Sequence, residues 1–248
     1  MKLIIYTALF ADENIPLEEV GEFYPFNHNK DDVEYVAFTN RDDLESNFWD
    51  VHYIPIEEGL SPRMMSRKIK WNPSLYLENC THTIWMDSQC YFKFEPKAIV
   101  DYILQSEYHT AIHHHTDLQS TYTEGMLQCY YYSLDKPSII NPQMEKYFKE
   151  GLPYKYDHYE TGILIRKNCD ESKQLSENVW GELQNHSIRD QLSTPYCVFK
   201  ARQKGDQGIK TISESFTAHK GGLPLPKSQL FFTVPKPSRE LKENLDNR

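Results

Sequence analysis

An aspartate directly after an apolar strand is the clearest chemical signal in the sequence. Asp87 follows the segment THTIWM, and Gln89 lies two residues further along the chain. Carboxylate oxygens, and more weakly amide oxygens, are ligands for Mg²⁺ and Mn²⁺. A lone carboxylate at the end of a strand also caps turns. The pattern therefore leaves two interpretations of Asp87: a ligand for a divalent metal that holds a diphosphate, or a turn cap.

A cluster of basic residues occurs in an otherwise acidic chain. Arg63, Arg67 and Lys70 are spaced i, i+4 and i+7, so they share one face of a helix. Arginine guanidinium groups bind phosphate oxygens through two parallel hydrogen bonds. A solvated helix face that pairs with surface carboxylates has the same spacing. The pattern is thus equally compatible with a phosphate clamp and with a solvated face.

Two further carboxylates are candidates for work on a sugar or an acceptor hydroxyl. Glu160 precedes the apolar segment TGILIR, and Asp190 lies where a helix is expected to begin. General-base catalysis requires a carboxylate within reach of the hydroxyl that it activates. An acidic residue at a helix start also interacts favourably with the helix dipole. Either residue is therefore a candidate for the catalytic carboxylate.

The histidines give a weaker indication of metal binding. Residues 113–115 are three consecutive histidines, but neighbouring side chains on a strand point to opposite faces, so they cannot all reach one ion. His219 lies far away in the sequence, beside a pair of glycines. A histidine there is a candidate to complete a site that Asp87 begins.

The elements that must position these residues alternate between strands and helices. Strands are expected at 2–10, 33–39, 49–56, 81–86, 110–113 and 161–166. Helices are expected at 63–77, with an interruption or bend at Pro73, and at 96–106, 124–133, 141–150, 171–186 and from about 190. This alternation predicts an α/β protein with a mainly parallel sheet covered by helices on both faces. Ligands bind such sheets at the carboxyl ends of the strands. Neither a GxGxxG motif nor a P-loop lysine motif occurs, which disfavours a dinucleotide or P-loop site.

The composition restricts the class of protein further. The chain has 248 residues and a net charge of −9, which excludes a broad nucleic-acid-binding surface but not a local pocket for one anion. Five cysteines without a CxxC pair are expected to be free thiols. The sequence shows no signal-peptide pattern and no apolar run of the roughly 20 residues that span a bilayer. We therefore expect a soluble, cytoplasmic protein with one domain over residues 1–235 and a polar tail over residues 236–248.

Seven ordered segments resemble a glycosyltransferase-like family that includes plant mucilage- and turgor-related Golgi proteins and microbial and viral members. They are KLIIYTALF, VEYVAFTN, the Arg63–Lys70 stretch, TIWMDSQCYF, IHHHTDLQSTYTEG, YETGILIR and WGELQNHSIRDQLS, and they cover most of residues 1–200. That family in turn is similar to GT-A fold transferases of the glycogenin type. The resemblance implies a GT-A fold, a nucleotide-sugar donor, and a divalent metal on a DxD motif with a later histidine ligand.

Transferred to this sequence, the resemblance implies a set of site residues. Asp87 would be the first acid of DxD, Gln89 replaces the second acid, and His219 would be the late ligand of Mn²⁺ or Mg²⁺. Asp190 would lie near the donor sugar and the acceptor. The remaining implied donor-binding residues are Thr7, Ala8 and Asn40 at the nucleoside, Arg63, Arg67 and Lys70 at the phosphates, and Gln191 beside Asp190. Gln89 and Asn40 depart from the family pattern, since acidic residues are usual at both positions, and the membrane anchor of the plant members is absent.

The leading hypothesis is therefore transfer of a sugar from a UDP- or GDP-sugar to a glycan or another hydroxyl acceptor. A nucleotidyltransferase acting on a sugar phosphate is a second hypothesis, although such enzymes usually carry a glycine-rich loop after the first strand and residues 11–13 are Ala-Asp-Glu. A binding module that has lost catalysis is a third, and Gln89 is the residue that favours it. The sequence does not choose between inversion and retention at the sugar.

Overall fold

Short apolar segments rich in β-branched and aromatic residues form the strands, as such residues usually do. The computed structural model describes residues 1–11, 33–46, 48–87, 90–92, 95–115, 120–212 and 231–233. Within those ranges the strands are β1 (Leu3–Leu9), β2 (Val33–Thr39), β3 (Asp50–Tyr53), β4 (His82–Met86), β5 (Cys90–Phe92), β6 (Thr110–His114), β7 (Tyr159–Lys167), β8 (Ile209–Ile212) and β9 (Phe231–Thr233). β5 pairs with β9, and the other seven form one sheet.

The order of the main sheet is β3-β2-β1-β4-β7-β6-β8, and the sheet is mixed. β1 to β4 run parallel to one another, and β8 runs parallel to β6, but β7 is antiparallel to both of its neighbours. The prediction of a mainly parallel sheet is therefore wrong. The chain between β6 and β7 leaves and returns at the same edge, where the His115 N–H donates to the His158 carbonyl at 2.8 Å. β7 must consequently run back across the sheet.

Six helices flank the sheet within the described residues. They are α1 (Pro62–Trp71), α2 (Pro96–Leu104), α3 (Thr121–Met126), α4 (Pro137–Lys149), α5 (Asp170–Asn185) and α6 (Asp190–Gln203). α1 begins at Pro62 because the Ser61 hydroxyl accepts the Met64 N–H at 3.2 Å. It ends at Trp71 rather than near residue 77, since Pro73 cannot continue the hydrogen-bond pattern of a helix. A π-helical turn at Leu127–Tyr131 extends α3.

Alternating side chains of the strands build two apolar layers, one on each face of the sheet. Tyr6 and Trp85 face the layer that contains α1, α5 and α6, whereas Ile5 and Ile84 face the layer that contains α2. The α/β class and the flanking helices are thus confirmed. Every helix in the described ranges is too short or too polar to cross a bilayer. Residues 236–248, which were predicted to form a polar tail, lie outside the described residues.

Candidate active site

The antiparallel direction of β7 brings the candidate acidic residues to one edge of the sheet. β4 ends at this edge and β7 begins there, with Met86 paired to Ile163. The Asp87 N–H donates to the Gly162 carbonyl at 2.8 Å, so Asp87 lies beside the start of β7. β1 pairs in parallel with both β2 and β4, so the carboxyl ends of β1 and β2 lie at the same edge as that of β4. This is the edge at which α/β sheets bind ligands.

A buried ion pair joins α1 to the start of α6 at this edge. Lys70 Nζ lies 2.6 Å from Asp190 Oδ2, and each side chain is no more than 2% exposed. The Thr161 hydroxyl and the Trp71 indole N–H donate to the same oxygen, at 2.9 and 3.3 Å. Arg67 Nη2 lies 3.5 Å from Asp190 Oδ1. One buried carboxylate therefore holds two cations of α1 in place.

The surroundings of this pair lower the pKa values of both of its members. Burial alone would raise the pKa of Asp190, but Arg67 and Lys70 outweigh it and hold the pKa of Asp190 well below its usual range. Burial lowers the pKa of Lys70, against the opposing effect of Asp190. A carboxylate with so low a pKa is a poor general base near neutral pH. The geometry thus suits Asp190 to positioning and charge stabilisation.

The arginines beside this pair have hydrogen-bonding capacity to spare. Arg67 Nε is buried and has no hydrogen-bond partner among the described residues, and the contact of Arg67 with Asp190 is a long one. Desolvation and the positive charges of Arg67 and Arg189 lower the pKa of the exposed Arg63. Arg189 itself binds Glu124 Oε1 through Nε at 2.8 Å and Nη2 at 2.7 Å. An anion beside Arg63 and Arg67 would satisfy donors that the described residues leave unused.

Asp87 keeps one carboxylate oxygen free in the described part of the chain. The Trp85 indole N–H donates to Oδ1 at 2.8 Å. Oδ2 lies against Gly162, where a Cβ would stand 3.4 Å away, and accepts no hydrogen bond from a described residue. An available carboxylate oxygen fits a divalent cation. Gln89 and His219 lie outside the described residues, and no group of three metal-ligating side chains occurs within those that are described.

The residues predicted to border a nucleoside lie at the same edge but differ in their contacts. Asn40 links two loops, since its amide donates to the Ala11 carbonyl at 2.8 Å and accepts the Ala11 N–H at 3.1 Å. Thr7 is completely buried, and its hydroxyl has no partner within the described ranges. Ala8 is half-buried and accepts a long 3.5 Å hydrogen bond from Ser66 through its carbonyl oxygen. Gln191 is half-buried next to Asp190. Their binding roles stay predictions.

Glu160 is the more accessible of the two candidate catalytic carboxylates. Its side chain is 31% exposed, and its Oε1 lies 3.8 Å from His115 Nε2. The rings of His115 and His158 are 5.2 Å apart. His158 is completely buried, and burial, assisted by nearby positive charge, lowers its pKa to about 3. A neutral imidazole and a reachable carboxylate therefore lie together at the end of β6.

Three residues that hold the candidate acids were not among the predicted site residues. Trp85 could have been found, because it precedes Asp87 by two positions on a strand and therefore shares its face. Trp71 directly follows Lys70, yet its donation to Asp190 depends on how α1 packs on α6. Thr161 lies 29 positions before Asp190, and no local pattern indicates their contact. Sequence patterns therefore missed the hydrogen bonds between residues that lie far apart in the chain.

Comparisons with known proteins agree with the resemblance found in the sequence. Residues 62–216, more than half of the chain, match the family described as TOD1/MUCI70, glycosyltransferase-like domain. The chain is also 25% identical over 216 residues to a protein of Arabidopsis thaliana named alkaline ceramidase TOD1. That alignment covers 77% of this chain and 47% of the relative, so the chain spans about half the length of the relative. The chain belongs to the TOD1/MUCI70 glycosyltransferase-like domain family.

Proposed function

We propose that this chain is a glycosyltransferase of the GT-A type that moves a sugar from a nucleoside-diphosphate donor to a hydroxyl acceptor. Family membership supports a glycosyltransferase-like role. The observation that supports the choice of donor is Arg67, which has an unused N–H and contacts the buried Lys70–Asp190 pair at the end of the sheet where Asp87 lies. UDP- and GDP-sugars are the donors that we expect.

The cations would stabilise the charge that develops on the leaving diphosphate. Arg67 presents an unpartnered Nε, and Arg63 lies exposed next to it. Fixed cations in a partly desolvated site stabilise a leaving phosphate more strongly than mobile ones do. Asp190 forms ion pairs with Lys70 and Arg67 and thereby fixes their positions. Its role in this proposal is therefore to position the phosphate-binding side chains.

Asp87 is the described residue that would hold Mn²⁺ or Mg²⁺, through its free Oδ2. When bound, the metal would supply positive charge to the diphosphate. Trp85 fixes the carboxylate by its hydrogen bond to Oδ1. Gln89 and His219 are the further ligands that the family resemblance proposes.

Glu160 is the carboxylate that we assign to the acceptor side of the site. It is partly exposed, and it lies one position before Thr161, which contacts Asp190. A partly exposed carboxylate is better suited to accept a proton from a hydroxyl than Asp190, which is buried and has a pKa held well below its usual range. This assignment applies to an inverting reaction, in which Glu160 would act as the base.

The printed name of the Arabidopsis relative favours a second candidate, cleavage of the amide bond of a ceramide. That name belongs to a protein about twice as long as the aligned region, so ceramide cleavage is the competing outcome of the assay below. The two candidates differ in their products, because sugar transfer releases a nucleoside diphosphate and ceramide cleavage releases a fatty acid.

An assay of both products tests the proposal. The purified chain is incubated with a panel of UDP- and GDP-sugars, with and without Mn²⁺, and in parallel with a ceramide. We expect Mn²⁺-dependent release of the nucleoside diphosphate from at least one donor, and loss of at least tenfold in rate for Arg67→Gln. Lys204→Gln, on the exposed end of α6, is the matched control and should retain the rate. Fatty acid release from ceramide without any donor turnover would overturn the assignment.

A further inference from the structure

A second cleft opens at the opposite edge of the sheet from Asp87. It lies where β4 begins and β7 ends, with Thr83 paired to Arg166 on its floor. The end of α1 and the first half of α5 form its walls. The cleft encloses only about 20 Å³ that a water-sized sphere can occupy, and it opens to solvent at its mouth. None of the residues assigned above to the donor or the metal lines this cleft.

Arg166 lines this cleft as a buried cation without a carboxylate partner among the described residues. It is 2% exposed. Its Nη1 donates to the Ser176 hydroxyl at 3.2 Å, and its Nη2 donates to the Tyr6 hydroxyl and, at 2.9 Å, to the Lys70 carbonyl. Arg166 Nε has no hydrogen-bond partner in the described ranges. A guanidinium stays protonated even when burial lowers its pKa, so the charge requires compensation.

The other groups around the cleft add positive charge and polar groups. Lys173 is half-buried and makes no ion pair with any described residue. Ser172 lies beside it near the start of α5, whose first turn carries the acidic side chains of Asp170 and Glu171. Glu177 is the one carboxylate in the lining, and it is exposed. Lys167 also lines the cleft, but its ammonium bonds the carbonyls of Gln105 and Ser106.

We propose that this cleft binds a small oxyanion of the phosphate type, with Arg166 and Lys173 as its cations and Ser172 as a hydroxyl donor. A buried guanidinium with an unused N–H, a nearby ammonium and a hydroxyl form a typical environment for a phosphate group. The anion would supply the countercharge that Arg166 lacks. The anion comes either as free phosphate or as the phosphate group of a small monoester. The proposal is independent of the sugar-transfer activity, since the two sites share no residue that contacts a ligand.

A binding experiment with four proteins separates the two phosphate sites of the molecule. Inorganic phosphate or glycerol phosphate is titrated at constant ionic strength into the unaltered chain, Lys173→Ala, Arg67→Gln and the control Lys204→Ala, with the affinity measured by calorimetry and the Tm by thermal unfolding. We expect binding with a raised Tm, about tenfold weaker affinity in Lys173→Ala, and retained binding in the other two variants. The tighter of the two ligands identifies the source of the phosphate. Absence of binding, or loss in Arg67→Gln with full retention in Lys173→Ala, would overturn the proposal.

A second variant tests the missing countercharge directly. Ser176→Asp places a carboxylate where a hydroxyl now accepts from Arg166 Nη1. We expect this variant to have a higher Tm than the unaltered chain in phosphate-free buffer and to lose its response to phosphate. A lower Tm together with an undiminished response to phosphate would contradict a role of Arg166 in anion binding.

Discussion

Lys70 is buried, and its direct ion-pair partner among the described residues is Asp190. Its ammonium is buried between the rings of Trp71 and Trp85, at 5.9 and 5.5 Å from their centroids, and its ion-pair partner is Asp190. Removing one member of a buried pair leaves the other charge desolvated and uncompensated. Asp190 is therefore required for the stability of the fold at this edge as well as for the proposed chemistry.

Asp190→Asn should lower the free energy of unfolding by about 3–5 kcal/mol, because it leaves Lys70 and Arg67 without their carboxylate. Urea unfolding followed by circular dichroism measures the change. Asp101→Asn, on the exposed side of α2, is the matched control and should change the free energy of unfolding by less than about 0.5 kcal/mol. Equal effects of the two substitutions would show that the pair does not hold this edge together.

The buried histidines make stability sensitive to acid. Burial lowers the pKa of His158 to about 3 and that of His113 to about 4. The unfolded chain takes up protons at these histidines near pH 6.5, while the folded chain does not, so stability falls as the pH drops. Each buried imidazole contributes a loss of about 1.4 kcal/mol per pH unit between roughly pH 6 and its folded pKa.

His158→Gln should therefore reduce the slope of stability against pH by about 1.4 kcal/mol per unit between roughly pH 6 and pH 4. The measurement is urea unfolding at a series of pH values. Replacement of the exposed Gln184 by Ala serves as the control, because it removes no titratable group and should leave the slope as it is in the unaltered chain. An unchanged slope in His158→Gln would show that this ring is protonated in the folded protein.

At the scale of elements, two glycines allow a matched test of close packing. A Cβ at Gly208, just before β8, would stand 2.3 Å from the ring of His109, which Asp206 holds at 3.0 Å. At Gly181, inside α5, an added Cβ meets nothing within 4 Å. The same substitution should therefore have opposite effects at the two positions.

Gly208→Ala should lower the free energy of unfolding by about 1–3 kcal/mol, because the His109 ring must move. Gly181→Ala should raise it by about 0.5–1 kcal/mol, since alanine favours the helical conformation. Thermal and urea unfolding of both variants measure these changes. A stabilising effect of Gly208→Ala would show that β8 does not pack tightly against the start of β6.

The strands and helices were largely predictable, whereas their directions and contacts were not. β1, β2 and β4 are rich in apolar, β-branched and aromatic residues, so local patterns identify them. The direction of β7 depends on the end of the sheet to which the chain returns after β6, and no local sequence pattern predicts that point of return. The same applies to Thr161 and Asp190, because their hydrogen bond arises only when β7 and α6 pack together.

The burial of Arg166 was likewise not predictable from the sequence. In the sequence it is one basic residue at the end of an apolar strand, which is typical of a side chain that reaches solvent. In the fold it is buried against Tyr6 and Ser176. Burial of a single residue depends on how the helices cover the sheet, and this information is spread over the whole chain.

At the scale of the whole molecule, positive charge is concentrated at two places although the net charge is negative. The chain carries −9 overall, yet unused cationic donors occur at both edges of one sheet, at Arg67 on one side and at Arg166 on the other. Lys70 connects the two, since its ammonium contacts Asp190 while its carbonyl accepts from Arg166. The proposed ligands therefore follow from the local distribution of charge and not from its total.

The most direct test of the central proposal is calorimetric binding of UDP- and GDP-sugars to the unaltered chain, Asp87→Asn and Asp101→Asn, each with and without Mn²⁺. We expect Mn²⁺-dependent binding of at least one donor to the unaltered chain and to Asp101→Asn. Binding to Asp87→Asn should be at least tenfold weaker, because a neutral amide is a poor ligand for the cation. If no nucleotide sugar binds, or if Asp87→Asn binds as tightly as the unaltered chain, the proposed donor site is wrong.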